Sequence, residues 1–145
     1  MVKQPNPIKT YRIIDANLNR AREGLRVIED TLRFVFDNPN PAKRIKRIRH
    51  ELDHAAAKVY PSLISARNSQ KDFGARTKER GKREGVKGIL MANFRRTEEA
   101  LRVLEEYSRM ISGEYFHPFK RLRFRVYTVE KEVMSDKKTE KMADN

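Results

Sequence analysis

The 145-residue chain contains no cysteine and no tryptophan. Without cysteine there is neither a disulfide framework nor a thiolate to ligate a metal or attack a substrate, which fits a reducing cytoplasm. Histidine is scarce, with three in the whole chain. His50 and His54, in RIRHELDH, are spaced to share a helix face, but no third ligand has a matching spacing. A buried or rim histidine beside Arg49 is the expectation there, not zinc. Long apolar runs are missing too. No stretch of about 18 apolar residues occurs to span a bilayer, and the opening MVKQPNPIKTYRIID lacks the apolar core of roughly 7–15 residues that a secretory signal needs. The expectation is a soluble, cytoplasmic protein that does not engage a membrane. No GxxxxGK[ST] loop is present, so any grip on a nucleotide is irregular.

What is abundant is positive charge. Thirty-three Lys and Arg against twenty Asp and Glu leave a formal charge of +13. Such a field attracts anions: nucleic acid, an anionic surface or phosphorylated metabolites. The length suits one domain with a packed core.

Ile14, Leu18, Ala21, Leu25, Ile28, Leu32 and Val35 recur at alternating spacings of four and three, which makes one apolar stripe on a helix. Asp15 is a candidate N-cap, and NPNP at 38–41 a stop. The stripe returns 76 residues later as Leu90, Phe94, Thr97, Leu101, Leu104, Ser108 and Ile111. A second helix comes after each: Ile45, Ile48, Leu52, Ala55 and Val59 after Pro41, and Phe119, Leu122, Val126, Val129 and Val133 after Pro118, with proline as a start signal. The fold expected is all-α, two pseudo-symmetric helical hairpins that bury their stripes in a four-helix bundle-like domain. Residues 1–134 form this domain, with the duplication over about 12–60 and 88–134. A Gly- and Lys/Arg-rich connector spans 61–87, and a polar tail, 135–145, frays.

ANLNRAREGLRVIED, at 16–30, and ANFRRTEEALRVLEE, from Ala92, are nearly one phrase. Over 18 aligned positions nine are identical: Ala16, Asn17, Arg20, Glu23, Leu25, Arg26, Val27, Glu29 and Arg33, with Ala92, Asn93, Arg96, Glu99, Leu101, Arg102, Val103, Glu105 and Arg109. Only the leucine lies squarely on the stripe, so polar positions were kept where packing alone would keep apolar ones. Part of this is explained by helix-surface ion pairs such as Glu29 with Arg33 and Glu23 with Arg26, worth about 0.2–0.5 kcal/mol each. Asn17 and Arg20, with their copies, flank the stripe, and asparagine competes with the helix for backbone hydrogen bonds. A cap-like role and a ligand contact both remain open. A cleft of Asn, Arg and Asp/Glu without cysteine suits phosphates, through bidentate guanidinium forks, and a divalent cation held by carboxylates.

RIIDANLNRAREGLRVIEDTLRF (12–34), RHEL (49–52), the RxSxxDxG residues Arg67, Ser69, Asp72 and Gly74, ANFRRTEEALRVLEEY (92–107) and FKRLRFRVYTVEKE (119–132) together resemble the small alternative hydroxymethylpyrimidine-phosphate kinase family of thiamine biosynthesis. The resemblance covers residues 10–134 in order. That family occurs alone or fused ahead of thiamine-phosphate synthase, and this chain resembles the stand-alone form, which can carry the synthase's name by association. The resemblance implies transfer of a phosphoryl group from ATP, with Mg2+, onto hydroxymethylpyrimidine phosphate to give the diphosphate.

On that basis Arg20, Arg26, Arg67 and Arg96 are expected at phosphates, and Asn17, Asn93, Glu23, Arg49 and Arg102 at substrate. Asp72, Glu29 and Glu105 are expected around the metal. Where the family pattern reads RDxxxD, this chain has Asn68, which moves the metal expectation to Asp72. Two rival readings stand beside this one. The first is a basic helical module for nucleic acid, carried by the net charge and AKRIKRIRH (42–50), although acidic residues interrupt the repeated segments and no nucleic-acid motif is present. The second is a non-catalytic partner of the synthase. The sequence leaves monomer and homodimer open.

Overall fold

The computed structural model describes residues 6–79, 81–111 and 118–143, and among these the fold is all-α, without strands. Helix α1 (Pro7–Asp30) starts at an Asn-Pro signal: the Asn6 side chain accepts from the Ile8 N–H at 3.0 Å, and Pro7 gives up no needed donor. Asp15, expected as the N-cap, is therefore inside the helix and buried.

The end of α1 is irregular. Over Thr31–Val35 the helix widens to a π turn, in which the Phe36 N–H reaches the Thr31 carbonyl at 3.3 Å. The extra residue in that turn rotates the side chains beyond it about the helix axis. Val35, expected on the stripe, is turned out to solvent, and Phe36 takes its place in the core. Asp37, at φ 47°, breaks the chain direction before α2 (Pro39–Ala57). The stripe of α2 also differs from expectation near its end, since Ala56 is buried while Ala55 is only half-buried.

Helix α3 (Tyr60–Ala66) lies in the segment expected as connector, and two short 3-10 turns, Ser69–Lys71 and Phe73–Arg76, continue it. Helices α4 (Gly85–Tyr107) and α5 (Phe119–Met134) repeat the first pair. The segment expected to fray contains α6 (Lys137–Ala143), with Thr139 buried. Its polar composition, KKTEKMA, shows no apolar stripe, and Thr139 is the buried side chain among residues 137–142. Residue for residue, α6 lies 77 positions after α3. Each repeat is thus three helices, a hairpin and a short third helix laid back across the first.

The most extensive packing is between α1 and α4; α2 packs on α1, α5 on α4, and α2 meets α5. One core joins Leu18, Leu25, Ile28, Ile45, Ile48, Leu52, Phe94, Leu101, Leu104, Leu122 and Val126, all at 1% exposure or less. Each such side chain contributes roughly 1.5–3 kcal/mol. α1 and α4 run antiparallel and cross at Gly24. A methyl group built there would overlap the Thr97 hydroxyl and lie 3.2 Å from the Asn93 carbonyl oxygen. Glycine at this point is what lets the two long helices approach. Its counterpart 76 residues on is Ala100, also buried.

Gly24→Ala should therefore destabilise the protein by about 1–3 kcal/mol, by overpacking, as read by urea denaturation. Thr97→Ala in the same chain should recover much of that loss, since it removes the overlapping oxygen. Strict additivity of the two substitutions would show that the contact does not limit the crossing.

Candidate functional site

An open cleft of about 520 Å³ lies where the first half of α1 passes the last half of α4. From α1 come Lys9, Arg12, Ile13, Ala16, Asn17 and Arg20, from α4 Val103 and Tyr107, and from the segment after α3, Asp72. Three cations and one carboxylate thus surround a floor of small and apolar side chains, with an aromatic ring at one wall. Such a mixture accepts an anionic group at one end and a flat apolar one at the other.

Asn17 is neither a cap nor a loose rim residue. It is buried in mid-helix, and its Nδ2 donates to the Ile13 carbonyl at 2.9 Å. Asn93 does the same to the Ile89 carbonyl at 2.8 Å. That bond fixes each amide and directs Oδ1 away from its own helix turn. Arg20 donates to Asn17 Oδ1 at 3.4 Å, which aims one cation of the cleft.

Arg67 does not reach the cleft as an independent cation. Its Nε and one terminal nitrogen both donate to Asp15, at 2.8 and 2.7 Å. The hydrogen bond with Asp15 raises the guanidinium's pKa further. Asp15 is buried two residues before Asn17, so this fork ties the segment after α3 to α1 beside the cleft. Five residues beyond Arg67, Asp72 accepts from the Gly74 N–H at 2.9 Å, turning the chain so that the carboxylate lines the cleft. The second repeat has Met91 where the first has Asp15, so the clamp exists once.

Four of the repeated charges have another use. Glu29 accepts from Arg49 of α2 at 2.9 and 3.0 Å and lies 3.8 Å from Arg26. Glu105 accepts from Arg123 of α5 at 2.8 and 3.2 Å and lies 3.7 Å from Arg102. Burial alone would raise the Glu105 carboxyl, but the hydrogen bond and charge of Arg123, with Arg102 and Lys120, outweigh it and hold the pKa below the ordinary value. Arg26 and Arg102 reach on to Asp30 and Glu106, at 3.6 and 3.0 Å. Each trio staples a long helix to its hairpin partner. Arg33, expected to pair with Glu29, instead stacks over the Phe34 ring at 4.7 Å, because the π turn carries it away.

The two copies therefore do not converge on one site as expected. The antiparallel crossing faces Asn17 toward Val103, about ten residues, or roughly 15 Å of helix, from Asn93. Asn17, Arg20 and Asp72 share the cleft. Arg96 is exposed and paired with Glu79 at 3.2 Å; Arg26, Arg49 and Arg102 are in the staples; Glu23 is exposed on α1. Of the carboxylates expected around a metal, only Asp72 is at the cleft, and among the described residues no three His, Cys, Asp or Glu are grouped to hold a metal ion. His50 and His54 are both exposed, the former contrary to the expectation of a buried or rim histidine. Sequence reasoning missed Lys9, Arg12 and Tyr107. Lys9 and Arg12 lead into Ala16 and Arg20 at spacings of three, four and four on one face, a signal hidden by starting the helix at Asp15.

No helix of the described residues is long and apolar enough to cross a membrane. Comparison with known proteins places the chain. A family model described as the ThiD2 family matches residues 12–132. The chain is 46% identical over 127 residues to a protein of Nostoc punctiforme named thiamine-phosphate synthase, covering 86% of this chain and 35% of that protein. It is 38% identical over 143 residues to the thiamine-phosphate synthase of Synechocystis, covering 97% of this chain and 41% of the other. A Thermosynechococcus vestitus protein of the same name is 40% identical over 121 residues, 82% of this chain and 34% of its own length. The chain thus spans about two-fifths or less of the relatives it matches. No solved structure matches it. With the family pattern running through all the long helices that build the cleft, the chain belongs to the ThiD2 family.

Proposed function

We propose that the protein is a kinase of thiamine biosynthesis that phosphorylates hydroxymethylpyrimidine phosphate to the diphosphate at the cleft between α1 and α4. The observation that carries this reading is the composition of that cleft: Lys9, Arg12 and Arg20 beside Asp72, with Tyr107 and Val103 opposite. An oxygen of the acceptor's phosphate attacks the γ-phosphorus of ATP, the bond from that phosphorus to the bridging oxygen breaks, and ADP leaves with the electron pair. The acceptor is already an anion, so no strong base is required. What the reaction demands is cancellation of repulsion between two polyanions and in-line positioning.

Lys9, Arg12 and Arg20 supply that cancellation, and Asn17 keeps Arg20 aimed. Tyr107, Val103, Ile13 and Ala16 offer the flat apolar surface against which a pyrimidine packs. The donor set fits Mg2+ in its usual form, with one or two protein carboxylates, several waters and substrate phosphates, and Asp72 is the residue that would hold it. When bound, the ion would neutralise charge on the transferred group. The Asp15–Arg67 fork contributes by position, since it anchors the segment that carries Asp72.

The direct assay incubates the protein with Mg-ATP and the pyrimidine monophosphate and follows ADP and diphosphate together. Turnover supports the reading. Its absence, with tight binding to thiamine-phosphate synthase, would favour a non-catalytic partner role, and its absence with salt-sensitive binding to nucleic acid would favour the basic-module reading.

Arg20→Ala should lower kcat/KM by roughly ten- to a hundred-fold, the scale of one lost charge-assisted hydrogen bond, with an unchanged thermal midpoint. Full activity would remove Arg20 from the site.

Asp15→Asn should keep the helix content but lower turnover and raise the Mg2+ concentration needed for half-maximal rate, because Arg67 then no longer fixes Asp72. Arg67→Lys should resemble it, since an ammonium cannot form the fork. Unchanged Mg2+ dependence in both would restrict the pair to a structural role.

A further inference from the structure

The two repeats differ at one matched pair of positions in a way that packing does not explain. In the first repeat Arg22 of α1 and Asp53 of α2 form an ion pair at 3.4 Å. The residue 76 positions after Arg22 is Glu98, and the one 77 after Asp53, the offset that relates Pro41 to Pro118, is Glu130. The seam between α4 and α5 thus has two carboxylates where the seam between α1 and α2 has opposite charges. One oxygen of each, Oε2 of Glu98 and Oε2 of Glu130, is buried and, among the described residues, accepts from no backbone N–H and no cationic side chain. Two ionised carboxylates held together without water repel strongly, whereas one proton between them makes a short, strong hydrogen bond and satisfies both oxygens.

We propose that Glu98 and Glu130 share a proton and act as a pH-sensitive latch on the α4–α5 seam, in the place of the first repeat's ion pair. Burial, then the hydrogen bond with Glu130 and its charge, pushes the Glu98 carboxyl up to about 9, with Glu99 adding to the rise and Arg95 opposing it. The other groups beside it, around a neighbouring open cleft, are Arg102 on α4 and Tyr127 on α5. Arg102 is engaged by Glu105 and Glu106, and Tyr127 accepts from Arg123 at 3.1 Å. At neutral pH the latch is protonated and closed. Because α4 also supplies Val103 and Tyr107, the proton secures one wall of the α1–α4 cleft.

Linkage gives the sign of the effect. The folded state holds a proton that an unfolded glutamate releases near pH ~4.3. The stabilisation contributed by this proton is therefore greatest in acid down to that range and declines continuously as pH rises toward about 9, where Glu98 ionises in the folded state too.

Urea unfolding of the whole chain between about pH 5 and 10 tests this, with Glu98→Gln and Glu130→Gln beside the wild type. The wild type should lose stability with a slope that reports uptake of about one proton on folding. Each amide variant should remove that slope, and Glu98→Arg, which recreates the first repeat's pair, should do so as well. Variants that keep the wild-type pH dependence would overturn the latch. A second measurement needs no variant to fold: in wild-type protein labelled with 13C at glutamate carboxyls, one signal should remain protonated at about pH 7. Titration of every glutamate below about pH 6 would overturn the proposal equally.

Discussion

The close antiparallel crossing of α1 and α4 is the constraint on which the other features depend. Gly24 against Thr97 sets how near the two axes come. That approach buries both stripes in one core and leaves α2 and α5 free to meet beyond it. It also decides what faces what across the groove. Because the helices oppose each other head to tail, the polar residues near the start of one meet the apolar and aromatic residues near the end of the other. A duplicated helix thereby builds a cleft with unlike walls from nearly like sequences.

Duplication kept two sets of residues for two reasons. Arg26 with Glu29, and Arg102 with Glu105, secure each long helix to its hairpin partner, through Arg49 in one case and Arg123 in the other. Those partners come from α2 and α5 positions about one turn out of register. The staple was retained while the donor's position moved. Asn17 and Asn93, each bonded to the carbonyl four residues back, belong to the other set, of which the Asn17 copy lines the cleft and the Asn93 copy does not. Divergence then made the repeats unequal. Lys9 and Arg12 have Gly85 and Gly88 as their counterparts, Asp15 has Met91, and the Arg22–Asp53 pair has Glu98 and Glu130. The first copy has the cations and a clamp on the loop with Asp72; the second has a carboxylate pair in its seam.

Much of the fold was legible because a buried helix face needs apolar residues three and four apart, whatever lies opposite. Thirteen of the fourteen expected stripe positions of α1 and α4 are buried or half-buried, and the exception, Val35, sits where a π turn breaks the period. Local signals also misled at Asp15, since Asn6 and Pro7 start the helix earlier. The site was less legible. Spacing reveals which residues share a face but not which face of another helix it meets, so the convergence of Asn17 with Asn93 could not be tested from periodicity. The Asp15–Arg67 fork joins residues 52 apart, beyond the reach of any local rule. Sequence identity between the copies singled out Arg26 and Glu29 beside Asn17 and Arg20, but it does not separate the pair engaged with Arg49 of α2 from the pair at the cleft.

The central claim is that the α1–α4 cleft of the first repeat receives the phosphorylated pyrimidine. The most direct measurement is a titration of 15N-labelled protein with the pyrimidine monophosphate, in the presence of Mg2+ and a non-hydrolysable ATP analogue, read as amide shift changes. Saturable changes centred on Arg12, Asn17, Arg20, Asp72 and Tyr107 are the predicted result. Changes centred instead on the basic face of α2, around Lys43, Lys46 and Arg47, with the cleft unmoved, would contradict the account.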